Sequence, residues 1–242
     1  MRLLLIRHGQ TPSNVLGLLD TAVPGPELTD LGIEQSTALP ATLTGYRIDA
    51  IYASNTRRAQ LTAEPLAAAR GLPIEVRDGL REIDAGDLEM LGDDESTRTY
   101  QLTIRQWISG RLDLHMPGGP DGADVLGRFD AVVDEVVQRL GGDTDACAVL
   151  FAHGAMLRLW ASVRAADLAR ITDPTAPTRY LHNTGMIVLD GDPETGWSVQ
   201  SWAGSAIGGP RLDDGAEDGP AGTDPAVAAP TDPTGADPFI AR

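Results

Sequence analysis

Three apolar runs in this chain break off at polar residues immediately before a turn or a helix. Leu3-Leu4-Leu5-Ile6 runs into Arg7-His8-Gly9-Gln10-Thr11. Ile48-Asp49-Ala50-Ile51-Tyr52-Ala53 ends at Ser54, and Asn55-Thr56-Arg57-Arg58-Ala59 opens a helical stretch. Cys147-Ala148-Val149-Leu150-Phe151-Ala152 ends at His153-Gly154, with a helical pattern from Ala155 onward. Apolar strands that each feed a helix build a sheet covered on both faces. In open sheets of this kind, ligands bind beyond the carboxyl ends of the strands.

That edge is where the chemistry-bearing residues fall. His8 beside Arg7 reads as a nucleophile beside an anion clamp. The helix after Ser54 offers unpaired N–H groups and a positive dipole end, and Ser54, Asn55 and Thr56 are suitable caps. A cation in that first turn is poorly placed toward the dipole, which points it to another purpose. The local sequence leaves Arg57 and Arg58 as equal candidates for it. His153-Gly154 repeats the His-Gly pattern of His8-Gly9 at the end of another strand.

Strand and helix signals alternate from residue 2 to about 204. Strands are expected at 2–7, 48–53, 74–77, 147–152, 184–190 and 197–202. Helices are expected at 30–44, 56–70, 94–109, 122–140 and 154–165. Pro40 should kink or shorten the first of them. Val125, Phe129, Val132, Val133, Val136, Val137 and Leu140 mark one apolar face of the 122–140 helix. The expected fold is therefore α/β, a three-layer α/β/α sandwich around a mostly parallel sheet, spanning 1–204. Residues 205–242 are rich in Gly, Pro, Ala and Asp without periodic apolar residues, and read as a disordered or loosely docked tail.

Taken together, the motifs resemble the histidine phosphatase superfamily, the phosphoglycerate mutase-like family. The matching stretches are Arg7-His8-Gly9-Gln10-Thr11 with Asn14, and Leu28-Thr29-Asp30-Leu31-Gly32. They continue with Ser54 to Ala63, then Leu80-Arg81-Glu82-Ile83-Asp84-Ala85-Gly86, then His153-Gly154. The resemblance implies that His8 is the nucleophile that becomes phosphohistidine. It implies that Arg7, Arg58 and His153 clamp the phosphate, with Asn14 as a further contact and Gly9 and Gly154 in the phosphate-binding turns. It favours Arg58 over Arg57, because the family's arginine directly precedes the alanine that is Ala59 here. Glu82 is implied as the proton donor, although Asp84, Asp87 and Glu89 lie close by. The family's nucleophile is held by a backbone carbonyl.

The chemistry fits these residue types. A phosphoryl group in transfer spreads charge over its oxygens, so positioned cations supply most of the catalysis. Arginine offers planar, multi-donor contacts and stays charged. The leaving alkoxide needs a proton, which a carboxyl group can give. The histidines lack the short spacings of a zinc site, so neither a metal nor another cofactor is expected.

The chain has 242 residues and 42% hydrophobic residues, enough for one large domain. Its formal charge is −16 and all 19 basic residues are arginine. So acidic a chain argues against nucleic-acid binding, with a few arginines focusing positive potential in one cleft. Part of the charge lies late in the chain: from Gly191 onward there are nine acidic residues against Arg211 and Arg242. No signal peptide or membrane span is expected, and the single Cys147 suits a cytoplasmic protein.

Two stretches depart from the family's pattern. Many members have glycine after the glutamate that is Glu89 here, where this chain has Met90. Many have Gly-Gly-Glu-Ser where this chain has Gly118-Gly119-Pro120-Asp121. The mutase subgroup usually has Glu-Arg-His-Tyr-Gly at the acid and a lysine-rich lid; here the acid region is Glu82-Ile83-Asp84-Ala85-Gly86, and the chain has no lysine. The favoured function is a phosphomonoester hydrolase acting on a small phosphorylated metabolite. The alternatives are a cofactor-dependent phosphoglycerate mutase and, third, a non-catalytic phospho-ligand binding protein. A homodimer is left open.

Overall fold

The computed structural model describes residues 1–140, 143–165 and 181–213. Its centre is β1 (Arg2–Arg7), where Leu3, Leu4, Leu5 and Ile6 are fully buried. A strand buried on both faces needs layers on both sides. Around it the six strands run in the order β3-β2-β4-β1-β5-β6. The others are β2 (Ala50–Ser54), β3 (Ile74–Arg77), β4 (Cys147–Ala152), β5 (Met186–Asp192) and β6 (Gly196–Ala203).

β1, β2, β3 and β4 are mutually parallel, which brings the ends of β1, β2 and β4 to one edge. The sheet is nevertheless mixed, because β5 pairs antiparallel with both β1 and β6. Alternation of strand and helix does not reveal this reversal. A parallel pair needs a crossover of about a dozen residues or more. Only residues 193–195 separate β5 from β6, and the Asp192 carboxylate accepts from the amides of Glu194 and Thr195 to close that turn.

Two hydrophobic layers cover the sheet. On one face Leu4, Ile6, Ile51 and Phe151 pack against Leu39, Leu43, Ala63 and Leu66. These come from α2 (Asp30–Thr42), the loop after it, and α3 (Arg57–Arg70). On the other face Leu3, Leu5, Tyr52 and Leu150 meet Trp107, Phe129 and Trp160. Those three belong to α4 (Asp94–Ile108), α5 (Gly122–Leu140) and α6 (Gly154–Arg164). The expected α/β/α layering holds. Pro40 lies inside the last turn of α2, which ends at Thr42 rather than continuing to 44. Cys147, the first residue of β4, is 3% exposed, and burial pushes its thiol up to about 12.

Residues 205–213, assigned to the tail by composition, are packed onto the body. Leu212 is 2% exposed, and its carbonyl accepts from Gln35 Nε2 of α2 at 2.8 Å. The remainder of the tail, 214–242, lies outside the described residues. Among the described residues no helix is long and apolar enough to cross a membrane.

Candidate active site

β1 ends at Arg7, and both Arg7 and His8 are buried at 0% and 4% exposure. The chain stays extended for one more residue: His8 N donates to Ala152 O of β4 at 3.0 Å. Gly9 then lies against the start of α2. A Cβ on Gly32 would sit 2.2 Å from Gln10 O, so the turn after His8 can close against α2 only with glycine there. This accounts for Gly32 in the motif, a contact the sequence alone does not reveal. Gly9 N is held by Thr62 Oγ1 of α3 at 2.9 Å.

His8 Nδ1 lies 2.7 Å from Gly9 O. Burial, then the Arg58 and Arg7 charges, hold the His8 pKa well below its ordinary 6.5. The ring is therefore neutral at neutral pH. Arg7 donates from Nη1 to Leu181 O at 2.8 Å. Arg58 is 2% exposed and donates from Nη2 to Asp20 O at 3.1 Å; its Nη1 has no partner among the described residues. Its neighbour Arg57 points elsewhere, toward Glu27 and Glu64 on the surface at 3.4 Å and 3.8 Å. The structure thus separates two arginines that local sequence left equal.

The His153 ring stands 5.2 Å from the His8 ring, centroid to centroid. His153 Nε2 lies 2.9 Å from Ser54 Oγ and 3.4 Å from Thr56 Oγ1. Ser54 Oγ also accepts from Thr56 N at 3.3 Å, so its own proton is available for His153 Nε2. Burial first, then Arg58, keep His153 well below its ordinary pKa. A neutral ring that accepts at Nε2 carries its proton on Nδ1. That nitrogen has no partner among the described residues. Thr56 is the N-cap of α3 but makes no side-chain capping bond. The first N–H of that helix is not an open anion site either, since Arg57 N donates to Pro24 O at 2.8 Å.

Asn14 closes a short helix, α1 (Pro12–Val15), by a capping box with Thr11. Its Oδ1 accepts from Thr11 N at 3.0 Å and from Asn183 Nδ2 at 3.3 Å. Asn183, which also donates to His8 O at 2.9 Å, is fully buried beside the His8 backbone. No sequence signal marked it.

Glu82 is 3% exposed and lines the same cleft as Arg7, His8, Asn14, Arg58 and Tyr100. Its Oε1 accepts from Ile83 N and from Met156 N, each at 2.9 Å; Oε2 accepts from Ala155 N at 3.2 Å. The N-terminus of α6 behind Gly154 is thereby filled by the protein's own carboxylate, as helix polarity favours. Asp84 and Asp87 are exposed. Glu89 ties the amides of Thr21 and Ala22 at 2.9 Å and 3.1 Å, bracing the cleft mouth. Met90, where the resemblance leads one to expect glycine, has φ +60°, the left-handed region that glycine enters without strain. Among the described residues there is no cluster of His, Cys, Asp or Glu that could hold a metal ion.

Comparison with known proteins gives consistent results. A 34% identical stretch of 214 residues is shared with the PE-PGRS family protein PE_PGRS11 of Mycobacterium tuberculosis, covering 84% of this chain but 36% of that protein. The glucosyl-3-phosphoglycerate phosphatase of Mycolicibacterium vanbaalenii is 31% identical over 226 residues, 85% of this chain and 95% of that protein. Among solved structures, a mycobacterial glucosyl-3-phosphoglycerate phosphatase in complex with VO3 superposes with a TM-score of 0.66 at 28% identity, covering 84% and 99% of the two chains. The profile of the histidine phosphatase superfamily, branch 1, matches residues 3–204, so this chain belongs to that superfamily.

Proposed function

We propose that this protein is a metal-independent phosphomonoester hydrolase for a small phosphorylated metabolite, working through phosphohistidine at His8. The observation that carries the reading is that His8, Arg7, Arg58 and Glu82 line one cleft. The phosphorus is attacked by His8 Nε2. The bond to the leaving oxygen breaks, and Glu82 supplies the proton that this oxygen takes up. Arg7, Arg58 and His153 Nδ1–H carry the charge on the transferring oxygens, and Asn14, which lines the same cleft, adds a further contact. Water then attacks phospho-His8, giving its proton to the Glu82 carboxylate, and inorganic phosphate leaves.

Curated relatives include enzymes named phosphatase for glucosyl-3-phosphoglycerate, phosphoserine and α-ribazole phosphate. This supports the small-metabolite class and sets the first compounds to try. We place the activity in the cytoplasm, on the single buried cysteine. The proposed chemistry is complete within one chain and does not require the homodimer.

The test is phosphate release from a panel of phosphorylated metabolites without added metal, with a parallel arm primed by bisphosphoglycerate. Release from at least one compound, with acid-labile phosphate trapped on His8, is expected. Isomerisation of phosphoglycerate without net release would assign a mutase instead, and binding without turnover would assign the non-catalytic reading.

A further inference from the structure

Arg128, on α5, does not line the cleft, yet it grips the segment that carries Glu82. Its Nη1 donates to Gly79 O at 2.7 Å and to Arg81 O at 2.6 Å, and its Nη2 donates to Glu82 O at 2.8 Å. Among the described residues its hydrogen bonds go to main-chain carbonyls rather than to a carboxylate. The next carbonyl, Ile83 O, accepts from Tyr100 Oη of α4 at 2.9 Å. The Glu82 carboxyl is meanwhile held by the amides at the start of α6. The carboxyl thus sits where three helices converge on one short loop.

The loop is pressed close enough for this grip. A Cβ on Gly79 would stand 2.4 Å from Arg128 O, so only glycine lets the loop reach the helix. Burial lowers the Arg128 pKa to about 10, and the Glu82 charge opposes that shift. The guanidinium therefore stays charged at neutral pH with its donors fixed in one plane. A planar fork bound at three points defines both the height and the rotation of the peptide units it holds.

We propose that Arg128 is a positioning residue for proton transfer, setting the aim of the Glu82 carboxyl at the leaving oxygen without touching the substrate. This rests on Glu82 being the proton donor. Proton transfer depends steeply on the placement of the acid, whereas Arg7 and Arg58 are held by other carbonyls, those of Leu181 and Asp20.

The test compares single-turnover phosphorylation of His8 by an alkyl phosphate and by p-nitrophenyl phosphate. The second leaves as a stable phenolate and needs little protonation. Arg128→Met should slow the alkyl substrate by about tenfold or more relative to the aryl one, with inhibition by inorganic phosphate unchanged. Arg128→Lys, which keeps the charge but not the fork, should fall between parent and Arg128→Met. In the Glu82→Gln background, Arg128→Met should add no further selective loss. Equal slowing of both substrates, no slowing of either, or multiplicative losses in the double variant would overturn the proposal. If Arg128→Met does not fold, the same comparison on Arg128→Lys decides: selective alkyl slowing supports the role, and equal rates or equal slowing overturn it. Should Glu82→Gln itself slow both substrates alike, the assignment of Glu82 as the acid falls first, and the role of Arg128 with it. Selectivity in Glu82→Gln without selectivity in the Arg128 variants would overturn the role of Arg128 alone.

Discussion

His8 Nδ1 and the carbonyl of Gly9, its own neighbour in the chain, are 2.7 Å apart. A carbonyl only accepts, so the neutral ring must carry its proton on Nδ1 and its lone pair on Nε2. In the proposed mechanism, one backbone group thereby selects the nitrogen that attacks phosphorus. His8→Ala should abolish turnover and the acid-labile phosphoprotein together, a loss of at least about a hundredfold. A His8→Ala enzyme retaining more than about a per cent of the parent rate would place the nucleophile elsewhere.

The adjacent arginines should separate cleanly. Arg58 is buried in the cleft and Arg57 lies on the surface beside Glu27. Arg58→Ala should weaken inhibition by phosphate or vanadate by about 1.5–3 kcal/mol, the range for a hydrogen bond to a charged group. Arg57→Ala should change it by a few tenths at most, as for an exposed ion pair. Inhibition constants for the two variants check this, and a larger loss in Arg57→Ala would contradict the geometry.

Ser54 should matter through His153. Without its hydroxyl, His153 Nε2 keeps only the longer 3.4 Å contact to Thr56 Oγ1, which holds the tautomer with hydrogen on Nδ1 less firmly. Ser54→Ala should weaken phosphate inhibition by about 1 kcal/mol, roughly fivefold. Ser54→Thr, which restores the hydroxyl, should recover part of that loss. An unchanged inhibition constant in Ser54→Ala would mean that His153 does not bind phosphate through Nδ1.

Stability should fall on mild acidification. His8 and His153 are held well below 6.5 in the folded chain, while the unfolded chain protonates them near that value. Below 6.5 the unfolded state therefore binds more protons, and unfolding becomes easier as pH drops. The limiting slope is about 1.4 kcal/mol per pH unit for each histidine. Thermal melts at about pH 7.5 and 5.5 should show a drop in Tm that is smaller in the His8→Asn/His153→Asn variant. Equal drops in the two proteins would show that these rings are not the cause.

Met90 occupies the left-handed region at φ +60°. A non-glycine residue there carries about 1–2 kcal/mol of strain, partly offset against glycine by the greater freedom of an unfolded glycine. Met90→Gly should hold or raise Tm, and Met90→Ile should lower it by the equivalent of about 1 kcal/mol or more. A clear loss of stability in Met90→Gly would contradict this backbone conformation.

The reach of the sequence follows from what is local. Leu3 to Ile6 is apolar at every position, which dictates a strand buried on both faces, and β1 is one. His8-Gly9 and His153-Gly154 announce turns at strand ends because a polar residue and a glycine cannot prolong such a strand. The residue order therefore put His8, Arg7, His153 and one of Arg57 and Arg58 at one edge, given parallel strands. It could not decide direction where the connection was the only clue, so the reversal of β5 waited for the pairing itself. Nor could it find partners that are distant in the chain. Asn183 meets His8 across 175 residues, Ser54 meets His153 across 99, and Arg128 meets Glu82 across 46. Asn183 and Arg128 are single polar residues that no motif marks, and Ser54, though part of a motif, carries no sign of which residue it meets. Only the packing of helices and strands brings a donor within hydrogen-bond reach of its acceptor, and that packing is set by the summed burial of the whole core rather than by any motif.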